Sequence, residues 1–182
     1  IDAPHMDAVR QEVSKCKIPG ISFDYKSSRI ESINDLQYDI LISPANSFGE
    51  LKGGIDMAYY KLLGREKLAD RVSKYIRNYA DGEIHIGDFG IIPIGEADQT
   101  PTYLVLCPTM VVPMTLPADS RNAYYYMRAV LKAIRKLSNT IYSGKNMSVL
   151  CPLPCVGVGG MNHKLAAKQM RIGIESMHGQ GV

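Results

Sequence analysis

The feature that most constrains this chain is an alternation of short, wholly apolar runs with stretches of helical period. Asp39 to Ala45 (DILISPA), Tyr103 to Val112 (YLVLCPTMVV) and Met147 to Pro154 (MSVLCPLP) are apolar at consecutive positions. A strand with one wet face would alternate; strands like these are covered on both faces. Gly87 to Gly95 (GDFGIIPIG) reads as a further strand and Ile18 to Tyr25 (IPGISFDY) as a first one. The spacing of Ser28 and Glu31 fits a capping box, which predicts a short helix after that first strand. Asp56 to Asn78 carries helical spacing through Tyr59, Leu62, Leu63, Leu68, Val72 and Ile76, broken near Gly64. Asn122 to Leu137 is an amphipathic helix with its basic residues late, where the helix dipole favours them. Asn162 to Met177 reads as the closing helix. The pattern predicts an α/β chain with a central, mostly parallel sheet covered on both sides.

The 182 residues suit one domain and can bury a core without disulfide staples. The first five residues, Ile1 to His5, read as vector-derived, which leaves 6–182 as the domain. The end, HGQGV, reads as a frayed tail. Cys107, Cys151 and Cys155 sit in apolar runs, so the expected thiols are buried and reduced, in an intracellular, cytoplasmic setting with the nucleus left open. No apolar run reaches membrane-spanning length. A net charge of +3 argues against a nucleic-acid partner, which needs a continuous basic surface. His85 and His163 stand alone, and Cys151-x-x-x-Cys155 lacks partners at metal spacing, so neither a metal nor a cofactor is expected. Tyr124 to Tyr126 and the cluster of Lys132, Arg135, Lys136 and Lys145 read as packing and a solvated helix end.

Two glycine-rich segments follow buried strands directly and enter helices. The first is SPANSFGELKGGID, Ser43 to Asp56; the second is CVGVGGM, Cys155 to Met161, with Asn162 as N-cap of the following helix. Glycine lets backbone approach a ligand closely, and a helix start presents free N–H groups to phosphate. The first segment alone is explained equally well by a tight turn. Two such loops at one edge of one sheet could grip a pyrophosphate from both sides, and α/β sheets bind ligands at the carboxyl ends of their strands. Familiar nucleotide motifs fail: there is no G-x-x-x-x-G-K-[ST], and Gly157-x-Gly159 lacks its third glycine at position 162. Cys155 has Met161 six residues on where a cysteine phosphatase would have arginine, so it reads as a lining residue.

The segment ISPANSFGELKGGIDMAYYKLLG resembles the signature loop of macro domains, and most closely the SPAN-S-[FY]-G subgroup that processes ADP-ribose 1″-phosphate. GEIHIGDFGIIPIG, YLVLCPTMVVP, RNAYYYMRAVLKAI and CPLPCVGVGGMNHKLAAKQMR are similar to that subgroup in order and spacing, from about Ile18 to about Met177. The resemblance implies a three-layer α/β/α macro-domain fold with a mixed, mostly parallel central sheet. It implies a ligand, ADP-ribose or ADP-ribose 1″-phosphate, free or as an ADP-ribosylated protein.

By that resemblance, Asn46 contacts the distal ribose and is a catalytic candidate beside Asp56, and Ala45 is a further ligand-binding residue; an amide suits a sugar hydroxyl, and an Asx turn is the structural alternative. Gly53, Gly54 and Ile55 lie along the pyrophosphate, and Asp56 matches the acid that positions water in hydrolytic members. A first-turn acid favoured by the dipole explains Asp56 equally well. Cys155, Val156, Gly157, Val158 and Gly159 form the second diphosphate loop, with Val156 at a threonine position and Gly159 at an aromatic one. Asp24 is the expected adenine contact, a carboxylate accepting from the amino group. Expected functions are thus ADP-ribose binding, with hydrolysis of the 1″-phosphate as a further activity. The alternatives are removal of mono-ADP-ribose from protein, a non-catalytic reader, or a fold whose pocket is degraded.

Overall fold

The computed structural model describes residues 3–27, 38–95 and 100–177. Its order is α1 (Ala3–Val13), β1 (Ile40–Ser43), α2 (Gly54–Leu62), α3 (Arg65–Tyr79), β2 (Gly90–Pro93), β3 (Tyr103–Leu106), α4 (Asn122–Ser138), β4 (Val149–Leu150) and α5 (His163–Met177). The sheet runs β2-β3-β1-β4. β1 is parallel to both neighbours, Ile40 opposite Tyr103 on one side and Val149 on the other. β2 is antiparallel to β3 at the edge, so the sheet is mixed and mostly parallel.

The uninterrupted apolar character of β1 and β3 has the cause expected from the sequence. Ile40, Ile42 and Val105 face a layer built by α1, α4 and α5. Leu41, Leu104 and Leu106 face the opposite layer, built by α2 and α3. Each of these side chains is almost wholly removed from water, which contributes about 2 kcal/mol apiece. The result is helices on both faces of one sheet, three layers in all.

The strands are shorter than the apolar runs. β3 ends before Cys107-Pro108 and β4 before Pro152, because proline donates no ladder hydrogen bond. The helix break expected near Gly64 is there, with Gly64 at φ +82 between α2 and α3. The capping-box helix expected at Ser28 to Glu31 and the tail from His178 lie outside the described residues.

One expectation is corrected. Ile18 to Tyr25 is not a strand: among the described residues it joins no ladder. Pro19-Gly20 turns the chain, Ile21 N–H bonding to the Ile18 carbonyl. Its alternation arises because Ile21, Phe23 and Tyr25 pack on the α1, α4 and α5 layer. α1, for which the sequence carried no expectation, docks on α5 through Arg171 Nε to Glu12 at 2.8 Å.

The topology selects one edge. The loop after β1 leads to helices on one face, whereas the loops after β3 and β4 lead to helices on the other. All three loops leave the sheet at the same edge because the three strands are parallel. The carboxyl end of β1 is therefore a switch point, where diverging chains leave a crevice.

Candidate functional site

The first loop is organised by side chains. Asn46 is 5% exposed, and its Oδ1 accepts from the N–H groups of Phe48 and Glu50, each at 3.1 Å. Its Nδ2 donates to Glu50 Oε2 at 3.1 Å, which leaves one amide hydrogen uncommitted. The Asx-turn geometry foreseen as the structural alternative is thus present. Ser47 N–H reaches back to the carbonyls of Met110 and Val111, which ties the loop to the chain leaving β3. Ala45 is buried, and its carbonyl accepts from Thr109 N–H.

With those groups spent, the rest of the loop is open. The N–H groups of Leu51, Lys52, Gly53, Gly54, Ile55 and Asp56 donate to no described residue. Gly54, Ile55 and Asp56 are the first turn of α2, whose cap Gly53 contributes no side-chain bond. An added Cβ at Gly53 or Gly54 would meet nothing within 4 Å. Here a strand and a helix start converge on a set of unsatisfied donors, the elements of an anion site.

Asp56 closes the inner side. Ser43, the last residue of β1, donates its hydroxyl to Asp56 Oδ1 at 2.6 Å. Burial raises the Asp56 carboxyl to about 6, against the pull of that hydrogen bond. Oδ2 accepts from no described residue and reaches the surface; among the described residues the Tyr25 hydroxyl alone is a fully buried side-chain polar atom without a partner. One oxygen is thus held and the other is presented.

The second loop is organised by backbone. Met161 N–H bonds to the Cys155 carbonyl at 2.9 Å and Gly160 N–H to the Gly157 carbonyl at 3.0 Å. Cys155 sits at φ +68, a conformation L side chains rarely adopt. Gly159 is required by space: a Cβ there would lie 2.6 Å from the Cys155 carbonyl oxygen and 3.1 Å from Leu116 Cδ1. No aromatic side chain could stand at that position on this backbone. The N–H groups of Val156, Gly157, Val158 and Gly159 donate to no described residue. Asn162 caps α5 as expected, accepting from Lys164 and Leu165.

The chemistry of the lining is plain. The two segments, 44–56 and 151–162, contain one basic residue, Lys52, and it pairs with Glu50 at 2.9 Å. Attraction for an anion therefore rests on oriented N–H groups rather than on cations. Cys155 is buried and its thiol is pushed up to about 12, so it holds its proton at neutral pH and is no nucleophile. Among the described residues no cluster of His, Cys, Asp or Glu could hold a metal.

The other sequence candidates fall elsewhere. Asp24 is four-fifths exposed beside Lys26 at 3.6 Å, and no described contact joins it to either loop. His85 does have a carboxylate partner, Glu83 at 3.1 Å, which the sequence did not reveal. His163 stacks edge-on against His5. Tyr126 is buried and donates to the Pro152 carbonyl, while Lys132 bonds to the Gly87 carbonyl; both are structural. A groove lined by Phe48, Leu51, Met57, Tyr60, Val72 and Ile76 lies between the first loop and the helices α2 and α3.

No family model and no curated protein sequence matches the chain. Solved structures do. The macrodomain of Mycobacterium tuberculosis DarG is similar with a TM-score of 0.58 at 18% identity, covering 78% of this chain and 84% of that one. The Oceanobacillus iheyensis macrodomain with ADP gives 0.54 at 17% identity, over 75% of this chain and 68% of that one. A mutant of the same macrodomain with ADPR gives 0.53 at 18%, over 75% and 69%. At such identities the likeness concerns the fold.

Proposed function

We propose that this chain, which has the macrodomain fold, binds ADP-ribose or a close derivative by its diphosphate. The observation that carries this reading is the pair of donor sets at the carboxyl edge of β1 and β4, Leu51 to Asp56 and Val156 to Gly159, whose N–H groups have no described partner. Each N–H turned on a phosphate oxygen is worth about 1.5–3 kcal/mol. The structures of the Oceanobacillus iheyensis macrodomain with ADP and with ADPR support the choice of nucleotide. The uncommitted Nδ2 hydrogen of Asn46 suits a hydroxyl of the distal ribose. Asp24 is the proposed adenine contact, and it would have to approach the cleft on binding.

Hydrolysis is the second part of the reading. Asp56 presents Oδ2, and burial raises its carboxyl to about 6, towards the range in which a general base works. ADP-ribose 1″-phosphate is the favoured substrate, through the SPANSFG segment; a mono-ADP-ribosylated protein is the alternative. A reader without turnover keeps the same loops.

Amide-resolved NMR tests the binding. Adding ADP-ribose is expected to move the signals of Gly54, Ile55, Val156, Gly157 and Val158 together. Unmoved signals in these residues at millimolar ligand would rule the cleft out. Phosphate release from ADP-ribose 1″-phosphate, and its loss in Asp56→Ala with binding retained, tests the catalysis.

A further inference from the structure

The chain between β3 and α4 crosses the crevice. At one end Asn46 forms a parallel bridge with Met110, and Ser47 N–H bonds to the Met110 and Val111 carbonyls at 3.0 and 3.2 Å. At the other end Leu116 N–H bonds to the Gly159 carbonyl at 2.9 Å. Residues 111–116 thus run from the first loop to the second. Both ends are pinned. Thr109 Oγ1 donates to the Pro44 carbonyl and Asn122 Nδ2 to the Thr109 carbonyl at 2.7 Å. Gln169 Nε2 holds the Ser120 carbonyl at 2.7 Å.

The middle is different. Val111 to Thr115 are all exposed, and the N–H groups of Val112, Met114 and Thr115 donate to no described residue. Val112 is 48% and Met114 46% exposed, on a segment otherwise fastened at each end. Exposed apolar residues on a preformed bridge between two donor loops are the usual composition of a ligand wall.

We propose that Val111 to Thr115 is a third wall of the cleft, with Val112 and Met114 covering the sugar at the far end of the bound nucleoside diphosphate. The end is chosen by the pairing: the segment is bridged to Asn46 and Ser47, the part of the first loop assigned above to the distal ribose, rather than to Gly53 to Ile55. The inference rests on the ADP-ribose reading and adds its specificity for a second sugar.

The test is calorimetric titration of the chain and of Val112→Ser/Met114→Ser with ADP-ribose and with ADP, which lacks the second sugar. The chain is expected to prefer ADP-ribose. The double variant should lose about ten-fold for ADP-ribose, as removal of two half-covered apolar contacts implies, and about nothing for ADP. Val112→Thr, of the same shape, provides a milder probe with its melting temperature unchanged, and should show a smaller loss in the same direction. An unchanged ADP-ribose affinity in these variants, or an equal loss for ADP, overturns the wall. Failure of the unaltered chain to bind either nucleotide overturns the cleft itself, and the wall with it.

Discussion

The two loops present unpaired backbone donors on different constructions. The first is held by side chains: Asn46 gathers Phe48 and Glu50, and Ser43 anchors Asp56. The second is held by main chain alone, with Cys155 carrying a positive φ and Gly159 accepting no side chain. Side-chain scaffolding permits a titrating group within the loop, and Asp56 is that group. Backbone scaffolding permits none, but it aims consecutive N–H groups with little freedom. On this account one loop supplies chemistry and orientation, and the other supplies the grip.

The largest effect that would break the comparison is a charge in the grip. Gly157→Glu should abolish ADP-ribose binding, by about 100-fold or more, since it loses charge-assisted bonds and adds repulsion. A Cβ at Gly157 meets nothing within 4 Å, so the melting temperature should hold. Gly54→Glu is a poorer probe, because φ +55 there adds strain of about 1–2 kcal/mol. Normal binding by Gly157→Glu would remove the second loop from the site.

Next is Gly159→Ala. Its Cβ would collide with the Cys155 carbonyl, which Met161 N–H already holds. A loss of about 2–3 kcal/mol of stability is expected in denaturant unfolding. Gly157→Ala, by contrast, should be near neutral. Similar values for the two would mean that the loop is not fixed by its backbone.

Asp56→Asn sharpens the other half. The folded carboxyl titrates at about 6 against an ordinary 3.8, so the native state keeps a proton that the unfolded chain has released. Stability therefore falls as pH rises from about 4 to about 6 and stays lower above. Removing the charge should stabilise the chain by up to about 3 kcal/mol at pH 8 and by little at pH 4. Equal melting shifts at both pH values would contradict the buried, charged Asp56. The smallest effect belongs to Cys155→Ala. A neutral buried thiol gives about 1 kcal/mol of packing and no chemistry, so stability should drop slightly with binding and any turnover unchanged.

Much of the scaffold was legible in the sequence because its periods were clean. The unbroken apolar β1, the helical spacing through Leu68, Val72 and Ile76, and the amphipathic Asn122 to Leu137 each admit one interpretation. Ile18 to Tyr25 misled because alternating apolar residues serve equally for packing against helices. α1 is harder to read: Met6, Val9 and Val13 have helical spacing, but three apolar positions in so short a stretch are a weak period. The loops could be located from glycine, but not their construction. Ser43 and Asp56 meet across thirteen residues, and Gly159 and Leu116 across forty-three, so only tertiary structure joins them.

If unpaired backbone donors of both loops hold a diphosphate without cations, calorimetric titration with ADP-ribose, against AMP as control and at two salt concentrations, will show it. Saturable ADP-ribose binding is expected, far stronger than AMP and only mildly weakened by salt, because Lys52 is the one basic residue in the two loops and is already paired. Equal binding of AMP and ADP-ribose, or none of either at millimolar ligand, would contradict it.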